Sequence, residues 1–218
     1  MLAAAAYLKI LLALLVIVDP LGVIPVYAAL TANDTPAVRA RVARTASLTV
    51  AGVLVGSVLA GEAILSWFGI TIASFKVGGA ILILLMAIGM LRSDPLREKQ
   101  TPEEAVEAES KTSIAVVPIG VPLLVGPGAM STAIIYAVDG QGIVHRLVLV
   151  ALSLVVGLLT WVCLKAADPL SHVMGRTGMN IMIRLMGVIL AAVAVEIFCS
   201  GIVILLPGLA GVHAASGN

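Results

Sequence analysis

The sequence predicts an all-α, polytopic membrane protein with six transmembrane helices, arranged as two inverted three-helix repeats with broken first and fourth helices. Composition supports this class, because 61% of the 218 residues are hydrophobic and 11% are charged, whereas a soluble domain is about 25% charged. The mean hydropathy is +1.15, and the length allows about six spans of roughly 20 residues each. Proline and glycine interrupt two apolar runs, and the second half of the chain repeats features of the first.

The first apolar run, residues 3–30, contains Asp19-Pro20-Leu21-Gly22 near its middle. An ionisable residue at that depth costs about 2.5 to 3.5 kcal/mol and indicates a functional role by default. Because proline lacks an N–H group, the helix must break there, and the freed backbone groups need partners that lipid cannot supply. The segment is therefore expected to face protein or a water-filled cavity. Asp19 is interpreted as a substrate or proton site, or as the N-cap of a half-helix beginning at Pro20, and the two roles are compatible.

Two further spans complete the first half of the chain. Thr35 is expected to cap a helix whose first residue is Pro36, and the second span is predicted at about residues 45–68. The third span is predicted at about residues 70–91. Three glycines of the second span are spaced so that another helix can approach closely; they are Gly52, Gly56 and Gly61.

A long hydrophilic segment, residues 93–112, divides the chain into three parts. It contains Thr101-Pro102-Glu103-Glu104, a capping box with proline at the first helical position. The segment is therefore predicted to be a cytoplasmic linker with a short acidic helix. Residues 1–92 form the first predicted three-helix repeat, and residues 113–218 form the second, inverted one.

The fourth apolar run, residues 113–138, is interrupted at Gly126-Pro127-Gly128. This pattern is interpreted as a hinge with an open helix N-terminus, or as a kink that only permits close packing. A fifth span is predicted at about residues 147–164, and a polar connection at residues 165–178. The sixth span, about residues 185–206, carries Glu196 near its middle.

The two halves align weakly but in order. Asp19-Pro20 falls on Gly126-Pro127, and residues 75–82 fall on residues 183–190. Because each half holds an odd number of spans, the copies would cross the membrane in opposite senses, as in the inverted repeats of secondary transporters. Chance alignment of apolar sequence is the alternative. Glu196 aligns with Ile88 and so breaks the symmetry, which suits either a coupling group or a paired structural carboxylate.

Basic residues predict the orientation in the membrane. Under the six-span assignment, ten of the 13 lysines and arginines fall on one side, and Lys9, Lys76 and Arg146 fall on or near the other. The positive-inside rule makes the first side cytoplasmic, with both termini periplasmic. Lys76 and Arg184 lie near predicted helix starts and are expected to extend their charged ends to the membrane interfaces.

Two stretches, DPLGVIP at residues 19–25 and PLLVGPGAMST at residues 122–132, resemble the signature stretches of the bacterial MarC/SnatA family, which is grouped with the LysE-type exporters. The resemblance covers nearly the whole chain. It implies a six-span protein of the bacterial inner membrane, and some members are linked to transport of small neutral amino acids such as glycine and alanine. Val23 differs from the asparagine that many relatives carry there, so the resemblance leaves the substrate set of this chain open.

The residues and the resemblance together predict a secondary transporter of small neutral amino acids across the inner membrane. Asp19 would accept the substrate ammonium, and the N–H groups around Gly128 to Met130 would hold its carboxylate at the positive end of a helix dipole. Glu196 is a candidate coupling residue. The full set of predicted substrate-binding residues is Asp19, Pro20, Gly22, Gly126, Pro127, Gly128, Ser131 and Thr132. The alternative is a non-transporting membrane scaffold or a stress-related accessory protein, in which the broken helices only permit tight packing.

Other classes find little support in the sequence. No motif groups a nucleophile, a base and an orienting residue, so the chain is not expected to be an enzyme. Cys163 and Cys199 lie far apart without metal-ligand spacing, and neither a metal nor a cofactor is predicted. No basic stripe with interleaved aromatics indicates nucleic acid. The expected partners are an amino-acid substrate and the lipid bilayer, and assembly into a homo-oligomer is left open.

Overall fold

The computed structural model describes residues 4–24, 27, 28, 31, 34–92, 124–140 and 142–209. Within these ranges the chain forms helices and turns and no strands, so the all-α prediction is confirmed there. The described ranges contain six helices with defined bounds. They are α1 (Ala4–Val18), α2 (Pro36–Trp67), α3 (Ile72–Leu91), α4 (Pro127–Asp139), α5 (Ile143–Lys165) and α6 (Ala167–Leu205), and a 3₁₀ turn (Pro207–Leu209) comes after them.

Four described helices are long and apolar enough to cross a membrane: α2, α3, α5 and the Thr177–Leu205 part of α6. The chain is therefore membrane-embedded. The other two, α1 with 15 residues and α4 with 13, flank the breaks predicted in the first and fourth apolar runs. The count of six spans and the inverted repeat stay predictions. The linker at residues 93–112, its capping box and residues 113–123 lie outside the described residues.

The start of α2 follows the predicted cap. The Thr35 hydroxyl accepts the Val38 N–H at 3.4 Å, and Pro36 occupies the first helical position. Because this cap starts the helix, the arginine-rich turns are helical too, and α2 begins nine residues before the predicted span at residue 45. The result is a 32-residue helix, whose N-terminal turns carry Arg39, Arg41 and Arg44.

The polar connection predicted at residues 165–178 lies between the candidate spans Ile143–Lys165 and Thr177–Leu205, and most of it is helical. Helix α6 begins at Ala167, directly after α5, and residues 167–174 are helical. The interruption is confined to Gly175, whose φ of 59° and ψ of −177° are not helical. Polar composition did not prevent a helix here, and a single glycine with positive φ bends it.

The helices pack in antiparallel pairs. In the α2–α5 pair, Glu62 near the end of α2 forms an ion pair with Arg146 near the start of α5. In the α3–α6 pair, a Cβ atom added at Gly187 would lie 3.1 Å from the Ala87 carbonyl oxygen, and one added at Gly201 would lie 3.0 Å from that of Ala73. Each pair joins one helix of the first half to the helix that the sequence alignment matches with it. Small residues at these contacts let the backbones approach, as is typical of membrane helices.

Helix α4 lies in the centre of the bundle, where it contacts α1, α2, α3 and α5. Gly61 of α2 packs against Ile134 of α4, with no room for a Cβ atom, and Gly79 of α3 packs against Ser131. Close approach is therefore confirmed at Gly61. The prediction of close approach is wrong for Gly52 and Gly56, because both point away from the bundle. Both are exposed, and no described atom lies within 4 Å of a Cβ added at either position.

Candidate functional site

The structure has the predicted break at the end of α1. Asp19 is the non-glycine residue with positive φ in the described part of the chain, at 47°, and it is only 2% exposed. Its carboxylate Oδ1 accepts the Gly22 N–H at 3.1 Å, as the side chain of an N-cap does. Aspartate is one of the few residues that tolerate this left-handed conformation. The capping interpretation of Asp19 therefore has direct geometric support.

Gly22 is needed for that arrangement. A Cβ atom added at Gly22 would overlap the Asp19 carboxylate, so a larger residue would displace the side chain that caps the turn. Pro20 and Gly22 are both buried. These two predicted site residues thus support Asp19 locally.

The second break precedes α4 and is built differently. Gly126 is the N-cap, with φ −73° and ψ 175°, and no side chain caps the helix. The N–H groups of Ala129 and Met130 both donate to the Gly126 carbonyl oxygen, at 3.0 and 3.3 Å. Of the N–H groups expected to hold an anion, those of Ala129 and Met130 are therefore already used, and the expected anion site narrows to Gly128.

Gly128 brings the two breaks together. A Cβ atom added there would lie 2.7 Å from Ile83 Cγ1 and 3.8 Å from Cγ2 of Ile17, which is two residues before Asp19. Neither Gly126 nor Gly128 has a positive φ, so unusual backbone angles do not explain these glycines. Gly128 is needed because α3 packs too closely against α4 there for a side chain to fit. The hinge interpretation of the two glycines stays a prediction. Pro127 between them is exposed.

Ser131 and Thr132 follow on the buried face of α4. Their hydroxyls donate to carbonyl oxygens one turn back, that of Pro127 at 2.7 Å and that of Gly128 at 2.9 Å. Each hydroxyl proton is thereby used within the helix. Only the oxygen lone pairs are left to accept a hydrogen bond from a ligand.

A cavity of about 690 Å³ opens beside α4, between α1, α3, α6 and the start of α5; we call it the polar cleft. Its described lining includes two predicted residues, Thr132 and Glu196. It does not include the buried residues of the two breaks or Ser131. The polar side chains that line it are Lys9, Lys76, Thr132, Tyr136, Asp139, His145, Glu196 and Ser200.

An ion pair closes one side of the polar cleft. Lys76 Nζ lies 2.8 Å from Asp139 Oδ2, and Lys76 is 7% exposed. The expectation that Lys76 reaches the membrane interface is therefore wrong, because its side chain turns into the bundle toward a carboxylate. Asp139 ends α4, where the helix dipole disfavours a negative charge, and the ammonium compensates for that.

His145 joins three helices at the same cleft. Its Nε2 donates to the Tyr136 carbonyl oxygen at 2.9 Å, and its Nδ1 lies 3.1 Å from the Tyr7 hydroxyl. Sequence reasoning missed His145, Lys76 and Asp139 as site residues, because only tertiary packing brings them together. Among the described residues, no three His, Cys, Asp or Glu side chains are grouped as a metal site requires.

These features define a class, a helical membrane protein with a charged cleft between apolar helices. Residues 4–206 match the profile described as MarC family integral membrane protein, and the chain belongs to this family. It is 35% identical over 203 residues to the UPF0056 membrane protein YhcE of Escherichia coli (strain K12), covering 93% of this chain and 94% of that protein.

Similarity extends to other bacteria and to archaea. A UPF0056 membrane protein of Buchnera aphidicola subsp. Acyrthosiphon pisum is 32% identical over 203 residues, 93% of this chain and 94% of its own. One from Methanocaldococcus jannaschii is 34% identical over 197 residues, 90% of this chain and 86% of its own. No solved structure matches the chain.

Proposed function

We propose that this chain is a secondary transporter of small neutral amino acids in the bacterial inner membrane. The observation that carries the proposal is the polar cleft, a cavity of about 690 Å³ that opens between apolar helices and is lined by charges of both signs, of which Lys76 is buried. Ionisable groups within membrane segments typically mark substrate or ion pathways. We expect transport rather than enzymatic activity.

The charges of the polar cleft suit a zwitterion. Lys76 and Asp139 form an ion pair with each other, and Lys9 and Glu196 add one charge of each sign to the lining. An α-amino acid would therefore find partners for both of its ionised groups. The cleft extends to Thr132, on the helix that begins at the second break. A substrate entering there would approach the buried segment formed by the two breaks, where the close packing of Ile83 against Gly128 leaves little room and favours a small side chain.

The antiparallel helix pairs support the inverted-repeat proposal. Each pair joins helices that the sequence alignment matches, and opposite directions are what two copies of opposite membrane orientation require. In the proposed orientation the polar cleft opens to the periplasm, and the N-terminus of α2 lies at the cytoplasmic side.

Purified protein in liposomes tests the proposal. We expect uptake of radiolabelled glycine or alanine above empty liposomes, and a loss of about tenfold or more on Glu196→Gln, because interactions with charged groups are worth about 1.5 to 3 kcal/mol. Glu62→Gln is the matched control, since Glu62 is a half-exposed carboxylate outside the described cleft lining. If the wild-type protein moves no member of an amino-acid panel, the proposal fails.

The scaffold alternative rests on a specific observation. Asp19 already caps a turn, and neither of the two cavities described for this chain is lined by Asp19. Asp19→Asn separates the two functions, because asparagine retains a capping oxygen and tolerates positive φ but carries no charge. A transporter that uses the charge loses activity in Asp19→Asn while its stability changes little. A scaffold is disturbed only by Asp19→Ala, which removes the cap.

A further inference from the structure

A second cavity, of about 580 Å³, lies at the opposite end of the bundle from the polar cleft. It is formed by the N-terminal turns of α2, the C-terminal turns of α5 and Tyr27. Four cations line it, and Asp34 is the one acid in its described lining. The cations are Arg39, Arg41, Arg44 and Lys165. We call this cavity the basic pocket.

Aromatic rings hold two of these cations in place. The Arg39 guanidinium lies 5.9 Å from the centre of the Tyr27 ring, and Lys165 Nζ lies 5.0 Å from that of Trp161. The Tyr27 hydroxyl also donates to the Arg39 carbonyl oxygen at 2.9 Å. Such cation–π contacts restrict long side chains that otherwise move freely. Arg39 and Lys165 are therefore held beside the cavity, and Arg41 and Arg44 line it from the exposed face of α2.

We propose that the basic pocket binds a phosphate group. The surplus of three positive charges in the described lining favours an anion, and guanidinium groups match phosphate oxygens in two-point contacts. The N-terminus of α2 adds the positive end of a helix dipole. Basic pockets between membrane helices bind the head groups of anionic lipids, and a free phosphate presents the same chemistry. This site is separate from the polar cleft and does not depend on the transport proposal.

Trp161 makes the pocket observable. The chain has two tryptophans, and Trp67 lies at the far end of α2, 86% exposed. The variant Trp67→Phe therefore leaves Trp161, inside the basic pocket, as the single indole reporter. The purified full chain in neutral detergent would be titrated with short-chain phosphatidylglycerol, with phosphatidylcholine of the same chain length, and with inorganic phosphate.

A saturable change of Trp161 fluorescence with phosphatidylglycerol, but not with phosphatidylcholine or inorganic phosphate, supports the site and identifies lipid as its source. Saturation by inorganic phosphate supports the site with a soluble source. In either case Arg41→Gln or Arg44→Gln should weaken binding about fivefold for each charge removed. Both arginines are exposed, so neither substitution should prevent folding.

Arg92→Gln is the matched control. Arg92 is an exposed cation at the end of α3, on the same side of the bundle, and it is not among the described lining residues. A specific pocket predicts unchanged affinity in this variant. The proposal is overturned if no ligand gives saturation, or if Arg92→Gln weakens binding as much as Arg41→Gln does, since that result indicates a general basic surface.

Discussion

The variant Gly128→Ala tests whether the second break requires space. The added methyl group would lie 2.7 Å from Ile83 Cγ1, whereas carbon atoms prefer separations of about 3.5 to 4.0 Å. Relieving an overlap of this kind in a packed core costs about 1 to 3 kcal/mol. Gly128 contacts α3 through Ile83 and α1 through Ile17. The added methyl group would therefore strain the packing where the start of α4 meets the end of α1. We expect a loss of stability of this size and a larger loss of transport.

A double-mutant cycle with Ile83→Ala measures the contact itself. Ile83→Ala removes Cγ1 and should cost about 2 to 5 kcal/mol by leaving a cavity. The methyl group added by Gly128→Ala would partly fill that cavity, so the second substitution should cost little or stabilise in this background. The coupling energy should lie at about 1 to 3 kcal/mol. Reversible unfolding in mixed micelles, followed by circular dichroism, gives the four free energies.

Gly52→Ala is the control for the general effect of removing glycine from a helix. With no described atom within 4 Å of its added Cβ, it should stabilise the protein by about 0.5 to 1 kcal/mol. If Gly128→Ala behaves like Gly52→Ala and shows no coupling to Ile83→Ala, the steric explanation is refuted.

Two helix contacts and the membrane orientation can be tested in the same way. Asp139→Ala should destabilise the protein by about 1 to 3 kcal/mol, because it leaves the buried Lys76 ammonium without its carboxylate; the cost is lower than for a fully buried ion pair, since Asp139 is half-exposed. Lys76→Met should be nearly neutral. Equal losses of stability for the two variants in unfolding experiments would contradict this. Gly201→Ala should weaken α3–α6 packing by about 1 to 3 kcal/mol, because its methyl group would meet the Ala73 carbonyl oxygen, while Gly78→Ala, with open space, should not. Reporter fusions should place Asn218 in the periplasm and residue 104 in the cytoplasm; cytoplasmic activity at Asn218 would overturn the orientation.

Local signals predicted the helix boundaries best. Thr35-Pro36 and Gly126-Pro127 act within one helical turn, through caps and the missing proline N–H, so they could be interpreted without knowing the fold. The polar stretch before Gly175 was predicted as a connection between spans but its helicity was not, because hydropathy reports the surroundings of a residue and not its backbone conformation. Helicity there depends on hydrogen bonds that polar residues make equally well.

The polar cleft could be predicted only in part. Thr132 and Glu196 were selected because they stand out in their own apolar segments. Lys76 and Asp139 were not, since they are 63 positions apart and neither forms a motif. Their pairing depends on how α3 packs against the end of α4, which no local pattern encodes. Lys76 also lies near a helix start, where lysines commonly extend to the interface, and only the nearby carboxylate makes the buried position favourable.

The N–H groups that follow the two breaks find different hydrogen-bond acceptors, and this difference bears on function. At the first break the Asp19 carboxylate accepts an N–H group and brings a negative charge into the bundle. At the second, the Gly126 carbonyl accepts two N–H groups, and α4 begins without a side-chain cap, so the positive end of its dipole is not offset by its own sequence. Antiparallel packing of α1 against α4 brings Ile17, next to the acidic break, into reach of Gly128 at the other. Opposite electrostatic features from the two halves thus meet at one place in the bundle. Under the proposed function, a zwitterion bound there would place its ammonium group toward Asp19 and its carboxylate toward the N-terminus of α4.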